Sequence, residues 1–253
     1  MKNDELQPLS DHLGELRRRI IWCLLFYVIA LVVSFSFSME IFGYIKNDLI
    51  PKEELNTMGP TDGLRIYMNI SFLLAFIITL PILLYHVWQF VRPGLHPREQ
   101  RAALLYIPVA VGLFLLGIAF GYFVIVPYLL EFLLGISKQM QLGTLFNVKD
   151  TFSFLFGVIL PLGAFFELPI IILFLTRIRL VTPQLLVKMR RYAYFIMVVI
   201  AAVITPPDFA SNILVAIPLI VLYEISIWLS VWLAKKMERE EAEQEMEASQ
   251  TRA

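Results

Sequence analysis

Residues 66–91 read IYMNISFLLAFIITLPILLYHVWQFV, 26 residues without an Asp, Glu, Lys or Arg. As a helix at about 1.5 Å per residue this stretch reaches about 39 Å, more than the ~30 Å hydrocarbon core of a bilayer. A helix on the surface of a soluble domain would carry a polar face, and this one has none. Five more apolar runs flank it, at Ile20–Met39, Ala102–Leu130, Thr151–Thr176, Tyr192–Pro207 and Phe209–Ala234. Only Glu167 in the fourth of the six and Glu224 in the last interrupt them with charge. Backbone inside hydrocarbon must hydrogen-bond to itself, so each run is expected to be helical.

Composition supports this reading. Of 253 residues, 58% are AVILMFWYC and 17% are charged, against roughly 25% in an ordinary globular domain. The mean hydropathy is +0.73. The 21 basic and 21 acidic residues cancel, so net charge points to no nucleic acid or other partner. Cys23 is the single cysteine, which rules out an intrachain disulfide and a multi-cysteine metal site. A disordered chain, a nucleic-acid-binding domain and a disulfide scaffold are all excluded. The fold expected is an all-α integral membrane protein with six transmembrane helices, at about 20–39, 66–91, 102–126, 151–176, 192–206 and 210–234. These form one polytopic membrane domain over 1–236, followed by an acidic cytoplasmic tail, 237–253. The fifth run is short, about 24 Å, and either thins the bilayer or forms a re-entrant hairpin with the sixth.

Basic residues set the orientation. Sixteen lie before the first span, between the second and third, between the fourth and fifth, and after the sixth; Lys46, Lys52, Lys138 and Lys149 lie in the alternate loops. The positive-inside rule places both termini in the cytoplasm of a multi-pass protein of the cell membrane. Residues 1–19 have no signal-peptide pattern. In the first outer loop Ile41, Ile45 and Leu49 recur at helical spacing and predict a short helix. Pro81, Pro108, Pro127, Pro161, Pro169 and Pro218 fall within or beside the runs, where each removes a backbone donor and bends or ends a helix.

Catalytic motifs are missing: there is no HExxH, GxSxG, Walker loop or calcium loop. His12, His86 and His96 are dispersed, so no metal, cofactor or enzyme activity is expected. Four features could carry function. Glu167 lies deep in its span, where a carboxylate costs about 2.5–3.5 kcal/mol on insertion scales. It marks a partner site or pathway, or it is a neutral acid bonded to a carbonyl freed by Pro161 or Pro169. Glu224 lies nearer an interface, where a structural role is favoured. Glu15 sits in SDHLGELRRRI (10–20), with Leu9, Leu13, Leu16 and Ile20 along one stripe; it either pairs with Arg18 or Arg19 or is offered to a basic ligand. Glu99 is the only acid in VRPGLHPREQR (91–101), and an internal salt bridge to a neighbouring arginine is the alternative to a ligand role.

HLGELRRRI, PILLYHVWQFVRPGLHPREQR, FGYFVIVP, FELPIII, MRRY, TPPD and AIPLIVLYEI, in that order from about Leu9 to Lys236, resemble the TatC family. That family is the receptor subunit of the twin-arginine protein translocase. The resemblance implies six helices in a curved, concave, glove-like arrangement with short fifth and sixth helices. It implies binding of twin-arginine signal peptides of folded cargo, recruitment of TatA-like and TatB-like single-span subunits, a homo-oligomer within the complex, and transport driven by the proton-motive force. Membrane lipid surrounds such a protein, and nucleic acid is no partner. Carried over residue by residue, the signal-peptide site matches Glu15, Arg17, Phe90 and Glu99, the partner-docking positions match Glu167 and Asn212, and an outer turn matches Pro206, Pro207 and Asp208. The chain departs from the family pattern at Asn47–Ile50, where a proline is frequent, and at Asn212, where glutamine is common. Arginine prefers carboxylates through a bidentate fork that lysine cannot copy. Two such contacts at about 1.5–3 kcal/mol each give millimolar to tens-of-micromolar affinity. Apolar contact near Phe90 must supply the rest. A proton-coupled small-molecule transporter using Glu167 and Glu224 is the alternative from another class, and a passive scaffold is a third.

Overall fold

The computed structural model describes residues 9–49, 55–91, 104, 106–141, 146–206 and 208–251. Glu99 and Pro207 lie outside the described residues. Among the described residues eight helices carry the fold: α1 Leu9–Leu49, α2 Asp62–Val91, α3 Tyr106–Phe120, α4 Val126–Gln139, α5 Val148–Phe166, α6 Leu168–Arg177, α7 Pro183–Ile204 and α8 Phe209–Thr251. A π-helical segment, Gly121–Ile125, joins α3 to α4. Two-residue strands β1 (Leu55–Asn56) and β2 (Phe146–Asn147) pair in parallel. The chain is an all-α integral membrane protein, as its composition requires.

Among the described residues five continuous helical stretches are long and apolar enough to cross a membrane: Gly14–Leu49, Asp62–Phe90, Tyr106–Gln139, Val148–Arg177 and Phe209–Glu240. Helix α7, which holds the fifth apolar run, is not one of these five; it opens with Thr182 as N-cap and Pro183 in its first turn, and carries Lys188, Arg190 and Arg191 in its first half. Its uncharged part, Tyr192–Ile204, is about 20 Å long. The prolines explain themselves by position. Pro127 and Pro169 lie in the opening turns of α4 and α6, each directly after an irregularity of the helix, the π-helical segment and the turn at Glu167. Pro81, Pro161 and Pro218 lie inside helices that continue through them. The short helix expected around Ile41–Leu49 is a continuation of α1.

The chain divides into two compact units, Met1–Val111 with Leu145–Phe154, and Gly112–Thr144 with Leu155–Ala253. In the first, α1 and α2 form an antiparallel hairpin. Its seam is polar: the Ser38 and Ser71 hydroxyls lie 2.6 Å apart, Tyr67 Oη donates to the Phe35 carbonyl at 2.7 Å, and Ser34 is fully buried. Phe42 stacks on Phe152 with ring centroids 5.1 Å apart.

In the second unit, α3 and α5 touch at glycines. A Cβ on Gly117 would lie 2.8 Å from Phe166 Cβ and 2.9 Å from Gly163 Cα. Hydrogen bonds also tie α8 to its neighbours. Ser230 and Thr176 of α6 share one at 2.7 Å, and Tyr223 Oη donates to the Leu186 carbonyl of α7 at 2.9 Å. Helix α6 ends with Arg179 in the left-handed region at φ 61. Its N–H and that of Leu180 bond back to the Thr176 and Leu175 carbonyls, a Schellman closure made without glycine.

Candidate functional site

The first candidate site lies where the N-terminal part of α1 meets the C-terminal part of α2. Residues 15 and 19 are one helical turn apart, so their side chains lie on one face. Arg19 turns back and donates through Nε to Glu15 Oε1 at 3.1 Å and through Nη2 to the same oxygen. Its third nitrogen, Nη1, donates across the hairpin to Gln89 Oε1 at 2.6 Å. The Arg19 side chain is 14% exposed and that of Glu15 is 32% exposed. Of the two partners weighed for Glu15 from sequence, Arg19 is the one it takes. Arg17 and Arg18 are exposed.

An apolar groove of about 470 Å³ opens beside this ion pair, between the two helices. Leu16, Arg19, Ile20 and Leu24 line it from α1, and Leu80, Leu83 and Phe90 from α2. Phe90 and Arg19, the partner of Glu15, both line this groove. Gln89 was not singled out from sequence. A neutral amide in an apolar run carries no signal of its own; only the cross-hairpin contact reveals it.

The second candidate is Glu167. It occupies the N-cap position of α6, at the break between α5 and α6, with Pro169 two residues on. Pro169 has no N–H to offer the Phe165 carbonyl, which loosens the turn at that point. Glu167 is 8% exposed. Neither of its carboxyl oxygens has a hydrogen-bond partner among the described residues. A buried polar group is nearly always paired, so an unpaired carboxyl group at this depth is unusual. Glu224 differs. It accepts from Arg190 Nη2 at 2.9 Å and from the Tyr194 hydroxyl, which binds it into the α7–α8 pair.

At the start of α8, Asp208 Oδ1 accepts from the Ser211 N–H at 2.7 Å, a side-chain N-cap. The Asp208 N–H in turn donates to the Pro206 carbonyl at 2.7 Å. Asp208 Oδ2, Ser211 Oγ and Asn212 Oδ1 are buried and unpaired among the described residues. The same residues contain no group of three or more His, Cys, Asp or Glu placed to hold a metal ion.

Comparison with known proteins fits this arrangement. Residues 11–218 match the family model described as Sec-independent protein translocase protein (TatC). The chain is 42% identical over 238 residues to the Sec-independent protein translocase protein TatC of Halalkalibacterium halodurans, covering 94% of each chain. It is 38% identical to the TatC protein of Aquifex aeolicus, covering 90% of this chain and 97% of that one. A crystal structure described as the twin-arginine translocase receptor TatC superposes with a TM-score of 0.78 at 36% identity, covering 88% of this chain and 99% of the other.

Proposed function

The chain belongs to the TatC family, the membrane components of Sec-independent protein translocases, and from that premise we propose that it is the subunit that captures twin-arginine signal peptides. The family is one of translocase components and not of catalysts, and such a component works in a complex with other subunits. The finer reading has Glu15, Arg17, Phe90 and Glu99 receiving the signal peptide of a folded cargo protein at the cytoplasmic face. Glu167 and Asn212 then dock single-span TatA-like or TatB-like subunits, and the proton-motive force drives transport. The protein sits in the cell membrane with six crossings and both termini in the cytoplasm, and residues 1–236 act as one polytopic domain.

One observation carries the reading: Arg19, the residue bonded to the Glu15 carboxylate, lines an apolar groove together with Phe90. A signal peptide that places arginines beside an apolar segment requires that pairing. The carboxylate supplies a bidentate acceptor for guanidinium, and the groove buries apolar surface at about 25 cal/mol per Å². The proton-relay alternative loses ground because Glu224 is held by Arg190 and Tyr194. The carboxyl group of Glu167, the other proposed relay group, has no hydrogen-bond partner among the described residues.

The test is peptide capture by the purified full chain in nanodiscs. Glu15→Ala and Glu99→Ala should each weaken binding of a twin-arginine peptide at least tenfold, about the value of one charged hydrogen bond. Replacing the peptide's arginines with lysine should weaken it on the wild type. Unchanged capture in both alanine variants refutes the proposal.

A further inference from the structure

The acceptor assigned to the incoming peptide is already occupied. Arg19 places two donors, Nε and Nη2, on a single oxygen of Glu15, and Gln89 holds the far side of the same guanidinium at 2.6 Å. We propose that Arg19 is a built-in guanidinium ligand that competes for Glu15, and that Gln89 is the brace that keeps it there. The inference rests on the reading of Glu15 as a signal-peptide contact. It adds two residues, Arg19 and Gln89, whose role is to set how strong a ligand must be before it is captured.

The argument is electrostatic and geometric. A carboxylate takes an arginine best as a two-oxygen fork. Arg19 monopolises Oε1, so a second fork cannot form until Arg19 lets go. Even a ligand that reached only Oε2 would bring its charge close to the Arg19 guanidinium, and like charges a few ångströms apart repel. An i,i+4 ion pair on an open helix surface is weak. This one is strengthened on two counts. The Arg19 side chain is only 14% exposed, and its third donor is fixed from the opposite helix. Gln89 thus turns a loose surface pair into a three-point clasp, and the clasp exists only when α1 and α2 are packed as a hairpin. It imposes the same handicap on every cationic ligand, so a weakly binding lysine peptide falls below useful affinity while an arginine peptide stays above it.

Binding of a fluorescent twin-arginine peptide to the full chain in nanodiscs, read by anisotropy, tests the proposal with Arg19→Gln, Gln89→Leu, the double variant and Glu15→Gln. Removal of the competitor in Arg19→Gln should tighten binding by about threefold to tenfold. Gln89→Leu should tighten it in the same direction by less, and the double variant should bind like Arg19→Gln alone, because Gln89 acts through Arg19. Glu15→Gln should weaken binding. If Glu15→Gln weakens binding but Arg19→Gln and Gln89→Leu leave it unchanged or weaken it, the clasp is refuted while the receptor reading stands. If Glu15→Gln has no effect either, the peptide does not use Glu15, and the clasp falls with that reading.

Discussion

Replacing Glu167 by leucine should make the isolated protein more stable and the assembled complex weaker. The carboxyl group is 8% exposed and both of its oxygens are unpaired among the described residues. An unsatisfied buried polar group costs about 1–3 kcal/mol. Leucine fills a similar volume without that cost. For a chain of this size each kcal/mol moves the melting temperature by about 2–4 °C, so Glu167→Leu in detergent should melt several degrees above wild type. If a partner helix supplies the missing hydrogen bond in the complex, leucine forfeits it. Interhelical bonds of this kind are worth about 0.6–2 kcal/mol, a threefold to thirtyfold loss of association. Glu167→Gln retains a donor and an acceptor and should keep partner association and most transport. Two measurements on the same preparations decide: a thermal melt of the subunit alone, and co-purification of a single-span partner from mild detergent. A leucine variant that melts higher yet retains its partner refutes docking at Glu167. A glutamine variant that keeps its partner but abolishes transport refutes it in favour of proton transfer.

Gly117→Ala should destabilise by about 1–3 kcal/mol, because the new methyl meets Phe166 and the Gly163 backbone. Gly112→Ala, in the same helix with nothing within 4 Å of a new Cβ, should be neutral or stabilising in the same thermal melt. In a Cys23→Ser background, Met140→Cys should react with a membrane-impermeant maleimide added to intact cells; reaction only in inverted vesicles would reverse the proposed orientation.

The helices were legible because charge-free runs longer than a bilayer leave the backbone no other way to satisfy itself. Their ends were not. Nothing between Ser38 and Glu40 breaks a helix, so the periodic Ile41, Ile45 and Leu49 read equally well as a new helix or as more of α1, and the chain takes the second course. Likewise Lys188, Arg190 and Arg191 hid the first two turns of α7, because an apolar scan stops at charge while a capped helix does not. At the candidate sites, charges in unusual places pointed to Glu15, Glu167 and Glu224. What they touch depends on which helix faces which. Gln89, the Ser38–Ser71 pair and the Gly117–Gly163 crossing are long-range contacts of ordinary residues, and no local pattern encodes them.

Helix α8 has one further property, which is mechanical. Ser230, its hydrogen-bonded tie to Thr176, stands 21 residues from Phe209 and 21 from Thr251. Tyr223 and Glu224 add ties to α7, and Val215, Leu219 and Leu233 are buried on either side, so α8 is clamped along its middle and not pivoted at one point. A continuous helix carries the direction set by its clamp. From Leu233 it runs about 27 Å further to Thr251, so a small change of tilt where α6 and α7 grip it is magnified at its acidic end.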